Sequence, residues 1–360
     1  MVNVGYLFKY GVTAKLAVVI PTYNRPEMLM RSVLSALNQS YSNITVQIYD
    51  NSEGSETEIY LARLLRSDKR VSYFRHKINI GSIQNFQFGL SRVEADYFCL
   101  ISDDDFFAPN FFAEAIASLH ESGADFVCCQ TIAMNEFFEV IDGADTVDYE
   151  RVYHPGEAID AMISGGIPYK WSGIVFKSKI KNEIKINPLA GPYADSGFVL
   201  HVAARFKCVT KKFIGAVYMV HQDTASTSTA IIQTNWRQWW EEMIHDIERD
   251  YLVKSEIRGA IRGKIYPNFL SIGMNQFKSA IAASDYSKAM QVLDGLNNFG
   301  YVLPSYLLRY ILRAINSSKI LRSLLEKFLK IRHHNKKMQI ENMSAQYDGL
   351  VKYAKEINKV

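Results

Sequence analysis

The chain has 360 residues, 48% of them hydrophobic, a formal net charge of +4 and four cysteines, enough for one large core with an appendage or for two domains. No apolar run reaches the length of a membrane span, the first fifteen residues lack the apolar core of a secretion signal, and Cys99, Cys128, Cys129 and Cys208 lack metal-ligand spacing, so they read as buried free thiols of a reducing, cytoplasmic compartment. The charge is uneven: residues 301–360 carry twelve basic and four acidic side chains, a balance of +8 on a body at −4, which suits an anionic partner for the tail.

Leu16–Ile20 predicts a first strand, closed by Pro21. Pro26 suits the first turn of a helix to about Asn38, whose Leu29, Val33, Leu34 and Leu37 have helical spacing. A strand over Ile44–Tyr49 ends at Asp50-Asn51. A polar turn and a helix to about Arg66 follow, then a strand over Val71–Arg75, a loop, and a helix over Ser82–Leu90. Tyr97–Ile101 is the next strand. Strands alternating with helices of this length predict a doubly wound, parallel α/β sheet. Pro109 is expected as the first residue of a helix to His120, followed by a strand over Phe126–Gln130. Beyond it, helices are expected over Tyr153–Ile163 and Asp195–Phe206, and strands over Ser172–Phe176 and Phe213–Val220, the latter leading to His221.

From about Ile231 the pattern is all helical. Trp236, Trp239, Trp240, Met243, Ile244 and Ile247 share one face, and residues 280–296 read as a helical hairpin. Helices are also expected over Pro304–Asn316 and Ser317–Arg332. In the second, Lys319, Arg322, Lys327 and Lys330 are interspersed with an apolar face. Such a helix can lie on an anionic membrane surface or pack against the body or a second copy as a homo-oligomer. The stretch from His333 is polar and expected to be loosely held. The chain thus divides into a nucleotide-binding body at 1–230, a helical region at 231–332 and a basic tail at 333–360.

The chemistry concentrates where the strand Tyr97–Ile101 runs through Ser102 into Asp103, Asp104 and Asp105. Three adjacent carboxylates repel one another unless a cation sits among them, and oxygen-only clusters suit Mg²⁺ or Mn²⁺ with substrate phosphates. Ligands of open α/β sheets bind outside the carboxyl ends of strands, where these acids would lie. A solvated turn or a helix cap needs one acid close to Pro109, not three that begin six residues before it.

Four segments, PTYNRPEML at 21–29, Asp50 at a strand end, NIGSIQN at 79–85 and SDDDFFAP at 102–109, resemble in order and spacing glycosyltransferase family 2, over roughly residues 15–230. The resemblance implies a GT-A fold, Rossmann-like with a mostly parallel sheet flanked by helices, here with an all-helical C-terminal extension. It implies an inverting transfer from a nucleotide-sugar donor, UDP-sugars being the commonest, to a saccharide or lipid-linked acceptor, with Mn²⁺ or Mg²⁺ as cofactor. Carried over, it assigns Pro21, Thr22, Tyr23, Arg25, Asp50, Asn79, Gly81, Asn85, Asp103 and Asp104 to the nucleotide sugar. Asp105 and His221 fall to the metal, Tyr169 and Trp171 (beside Gly173) to the acceptor, and Asp195 to the general base, with Ala194 where the family often has a second acid. The plainer roles are an Asx-turn for Asp50, a helix cap for Asn79 and Asp195, and core packing for Trp171.

A sugar nucleotidyltransferase would want a glycine- and lysine-rich loop after the first strand, and residues 21–29 contain neither glycine nor lysine. A Mg²⁺-binding receiver-like signalling domain would want an acidic pair there and far fewer residues. The basic tail carries no aromatic or glycine-rich RNA motif, so no nucleic-acid partner is expected.

Overall fold

The computed structural model describes residues 13–143, 150–167, 169–221, 236–282, 285–298 and 340–359. The chain opens with β1 (Leu16–Thr22), α1 (Pro26–Leu37), β2 (Ile44–Asp50), α2 (Glu56–Ser67), β3 (Val71–Arg75), α3 (Ser82–Ser91) and β4 (Tyr97–Leu100), as the periodicity predicts. In β1, Leu16, Val18 and Ile20 pack on one face of the sheet, and Ala17 and Val19 on the other. Both faces are covered, so the strand is apolar throughout instead of alternating. Gly89 lets α3 lie close: a Cβ there would stand 2.5 Å from Val19 Cγ1.

The second half comprises β5 (Phe106–Phe107), α4 (Phe111–Ser122), β6 (Phe126–Asn135), β7 (Val140–Asp142), β8 (Val152–Tyr153), α5 (Glu157–Ile163), β9 (Ile174–Lys177), α6 (Lys179–Glu183), α7 (Ala194–Arg205) and β10 (Cys208–Val220). The sheet order is β3-β2-β1-β4-β9-β6-β10-β5. β1 to β4 pair in parallel and so do β6 and β10. β9 runs antiparallel between β4 and β6. The result is a mostly parallel α/β sheet with helices on both faces. Helix α4 starts at Phe111, not Pro109, because Phe106–Phe107 first pairs with β10 and Asn110 then turns through φ +65°. All four cysteines are buried and free.

Beyond the sheet lie α8 (Trp236–Arg249), α9 (Ser255–Ala282), α10 (Tyr286–Asn298) and α11 (Asp348–Ile357). Trp240, Met243, Ile244 and Ile247 of α8 bury into the core shared with α7. α9 and α10 pack together, but the stretch 280–296 expected to be a helical hairpin holds only the end of α9 and most of α10. The side chain of Trp236, the helices expected over 304–332 and their Lys319, Arg322, Lys327 and Lys330 lie outside the described residues. No helix among the described residues is long and apolar enough to cross a membrane.

The expectation of a loosely held terminal stretch needs correcting for its described part. Residues 340–359 are mostly helical, and Ala354 and Ile357 bury against Phe106, Ile132, Met134, Val140, Val217 and Met219. Leu350, Val351, Ala354 and Ile357 share one stripe among charged residues, and the sheet and Phe138 give it an apolar partner.

Candidate active site

The carboxyl ends of β1, β2, β4 and β10 bring the predicted acids together. Asp103, Asp104 and Asp105 are all buried. Thr22, the last residue of β1, donates its hydroxyl to Asp103 Oδ2 at 2.7 Å, and the Tyr23 N–H approaches the same oxygen at 3.4 Å. Arg25 Nη1 lies 3.3 Å from Asp104 Oδ2 and 3.6 Å from Asp103 Oδ1. His221 Nε2 lies 2.9 Å from Asp104 Oδ2. The Tyr23 ring, 45% exposed, stands at the rim, whereas Pro21 stays inside the sheet, in register with Tyr49.

Asp105 turns both of its carboxylate oxygens onto protein partners. Its Oδ1 accepts from the Met219 N–H at 3.0 Å and its Oδ2 from the Ser172 hydroxyl at 2.8 Å. Both oxygens are spent on joining the acid loop to β10 and to the segment after residue 168. Burial, then the neighbouring Asp104, pushes the Asp105 carboxyl up to about 8; burial and Asp104 push Asp103 up to about 6. Asp104 faces Arg25 and His221. Among the described residues no trio of His, Cys, Asp and Glu is arranged to hold a metal by itself. One carboxylate beside an imidazole fits a cation that completes its coordination with substrate phosphates and water, as Mg²⁺ does and as Mn²⁺, which favours the same oxygen ligands, can.

The loop is held from behind by a polar stripe that the sequence reading overlooked. Arg31, Ser35 and Gln39 recur every four residues along α1 and just past its end. Arg31 Nη2 donates to the Asp104 carbonyl at 2.6 Å, and Ser35 Oγ accepts from the Phe107 N–H at 3.0 Å. Gln39 bridges the Ala108 carbonyl and the Phe112 N–H. All three are buried. Polar side chains four apart on a buried face were the available signal, since such groups need partners.

Three further predicted residues are buried among protein partners. Asp50 is fully buried, accepting from the Ser52 N–H at 2.7 Å and the Tyr73 hydroxyl at 2.6 Å; it anchors the turn after β2. Asn85 is buried too, donating to the Tyr49 carbonyl at 2.7 Å and meeting His76 Nε2 at 2.9 Å. Trp171 packs its ring against Phe86, centroids 4.2 Å apart, inside the core. Asn79 accepts from the Gly81 N–H at 2.8 Å and shapes the turn in which Gly81 adopts φ +88°. Asn51 ties that turn to β2 through the Gly81 carbonyl at 3.1 Å and the Ile80 N–H at 3.3 Å, a role that sequence reasoning missed.

Asp195 sits in the first turn of α7, partly exposed, its Oδ1 accepting from the Ser196 N–H at 2.6 Å. No side chain caps this helix, whose flanking residue is Tyr193. Burial raises the Asp195 pKa above the ordinary carboxylate range. Lys170, absent from the predicted set, is near enough to both Asp195 and Asp105 for its charge to oppose that rise in each. The segment 169–173 therefore lies between the acid loop and α7, with Ser172 bonded to Asp105 and Lys170 near both Asp105 and Asp195. Tyr169 is half-buried beside it, and Gly173 packs where a Cβ would stand 2.6 Å from Thr131 Cγ2.

The turn before Asp195 depends on Gly191, at φ 55° and ψ −134°, where an added Cβ would lie 2.7 Å from the Trp239 ring. Gly191→Ala should lose about 1–3 kcal/mol from backbone strain alone, read as a lower urea midpoint. Adding Trp239→Ala should relieve the clash and leave the strain.

A family model for Glycosyl transferase family 2 matches residues 17–176. This chain carries a family 2 glycosyltransferase domain. An uncharacterized glycosyltransferase of Rickettsia bellii is 28% identical over 169 residues, 47% of this chain and 21% of that protein. A Campylobacter jejuni protein described as GalNAc(5)-diNAcBac-PP-undecaprenol beta-1,3-glucosyltransferase is 27% identical over 92 residues, 25% of this chain and 30% of that one. The chain spans 21% to 37% of the length of the first curated relatives it matches. Among solved structures, S. aureus TarS 1-349 in complex with UDP-GlcNAc superposes with a TM-score of 0.61 at 13% identity, over 92% of each chain. That likeness extends the shared fold past the family 2 domain into the helical region.

Proposed function

We propose that this chain is a metal-dependent, inverting glycosyltransferase. It would move a sugar from a nucleoside-diphosphate donor to a hydroxyl of a saccharide or lipid-linked saccharide acceptor in cell-surface polysaccharide synthesis. The carrying observation is the convergence of Asp103, Asp104, Arg25 and His221 at the strand ends, with Lys170 near both the adjacent Asp105 and Asp195. The family 2 domain supports the reaction class. Relatives such as the Campylobacter glucosyltransferase and a putative colanic acid biosynthesis glycosyl transferase of Escherichia coli support the pathway class. The TarS complexes with UDP-GlcNAc and UDP support a UDP-sugar donor.

In this reading the Tyr23 ring offers a face to the base. Asp103, already an acceptor for Thr22 and Tyr23, accepts a hydrogen bond from the ribose, and Arg25 brings positive charge to the diphosphate. Asp104, with His221 beside it, would hold Mn²⁺ or Mg²⁺. When bound, that cation would supply Lewis-acid neutralisation of the departing diphosphate. Asp195 takes the proton of the acceptor hydroxyl as that oxygen attacks the anomeric carbon from the face opposite the leaving group. Burial raises its pKa and with it its basicity.

A base must be ionised to act, and burial raises the pKa of this one. The acid limb of kcat/KM should therefore lie above the ordinary aspartate range, with activity lost as pH falls through it; a pH–rate profile reads this directly. The stereochemical test is NMR of the product formed from an α-linked UDP-sugar. A β-linked product is expected, and an α-linked one would contradict inversion.

A further inference from the structure

The C-terminal helix reaches the donor site from behind. α11 buries Ala354 and Ile357 in an apolar cluster that includes Phe106, Phe138 and Met219. Each of these touches the acid loop's support. Phe106 directly follows Asp105, and the Tyr353 ring lies 6.4 Å from it. The Met219 N–H holds Asp105 Oδ1 at 3.0 Å, two residues before His221. Phe138 and Phe106 flank the Arg31 guanidinium at 5.6 and 5.8 Å. Arg31 in turn donates to the Asp104 carbonyl at 2.6 Å and reaches Asn358 Oδ1, just past α11, at 3.4 Å. The helical stretch before α11 is fastened as well, Ser344 Oγ accepting from the Val140 N–H at 2.9 Å.

We propose that Arg31 is a positioning residue of the donor site and that α11 is the part of the fold that keeps it in place. The guanidinium fixes the main chain at Asp104, and α11 closes the apolar box around the guanidinium. A segment about 250 residues away in sequence thereby sets how well Asp104 can meet a cation. The proposal rests on the donor-site reading above. Arg31 touches no reacting atom, so its removal should change affinity for metal and nucleotide together, beyond any effect on folding.

The test is calorimetric titration of the full chain with UDP, with and without Mn²⁺, beside a thermal melt of each variant. Arg31→Met, close in volume and without charge or donors, should weaken Mn²⁺-dependent UDP binding by about tenfold or more, the usual scale for groups that orient a metal ligand. UDP binding without Mn²⁺ should change much less. Arg31→Lys, which restores one donor and the charge, should recover part of the loss, as a purely space-filling role would not. Ala354→Glu, which should lift α11, should reproduce the Arg31→Met defect. Should Arg31→Met fail to fold, Asn358→Ala decides, with about a threefold weakening expected from the loss of one hydrogen bond. A folded Arg31→Met, or failing that an Asn358→Ala, that binds Mn²⁺ and UDP as tightly as the native chain or more tightly overturns the proposal. Absence of Mn²⁺-dependent binding in the native chain overturns the donor-site reading itself, and the two failures are thereby told apart.

Discussion

Asp195→Asn should reduce transfer by about a hundred- to ten-thousandfold, the usual contribution of a positioned general base, while the donor binds as before. The substitution keeps shape and the bond from the Ser196 N–H, since the amide oxygen still accepts. It removes only the capacity to take a proton. The side-chain contacts of Arg25 and His221 to the donor-site acids run to Asp103 and Asp104, so KM for the donor should hold while kcat collapses. The acid limb of the pH profile should disappear with the carboxylate. If Asp195→Asn turned over at the native rate, the base would be another residue.

The second large effect separates two neighbouring acids. Asp104→Asn should cost about a thousandfold or more in kcat/KM, because losing metal-assisted charge neutralisation is worth several kcal/mol. Asp105→Asn should leave most of the activity. Its amide can still accept from the Met219 N–H and donate to the Ser172 hydroxyl, so the loop stays anchored. The two also differ in stability. Asp105 is pushed up to about 8 in the fold, far above an ordinary aspartate, so the folded state binds its proton more tightly than the unfolded chain. Stability from this group is full below about pH 4 and is lost as pH rises towards 8. Asp105→Asn removes that loss, and its melting temperature should gain on the metal-free native chain across that window. Equal damage from both substitutions would mean that the register of the acids is read wrongly.

The sequence carries the first half of the fold openly. The apolar runs of β1, β2 and β4 are covered on both faces, α1 has a helical apolar stripe, and the acids stand where a strand must end. Which acid meets His221 and which meets Ser172 is not legible there. Three aspartates in a row are chemically identical, and only Ser172 and Met219, brought in from distant elements, single out Asp105 as the internal one. Asp50, Asn85 and Trp171 occupy family positions, yet here each turns inward onto partners that no motif records. Arg31, Ser35 and Gln39 could not be read from the sequence because their partners are main-chain atoms some seventy residues away. The docking of α11 was hidden for a similar reason. Four apolar residues among charged ones have no meaning until the sheet presents Phe106 and Met219 to them. Gly191 and Trp239 form a comparable long-range pair, one in the turn before Asp195 and the other in α8.

The central claim is that a cation at Asp104 joins a nucleoside diphosphate to this chain. Calorimetric titration of the native chain and Asp104→Asn with UDP, GDP, dTDP and CDP, each with and without Mn²⁺, tests it most directly. The expected result is that one of these nucleotides binds the native chain much more tightly when Mn²⁺ is present, and that Asp104→Asn, still folded, loses the enhancement. Metal-independent binding of every nucleotide, or an enhancement that survives in Asp104→Asn, would contradict the account.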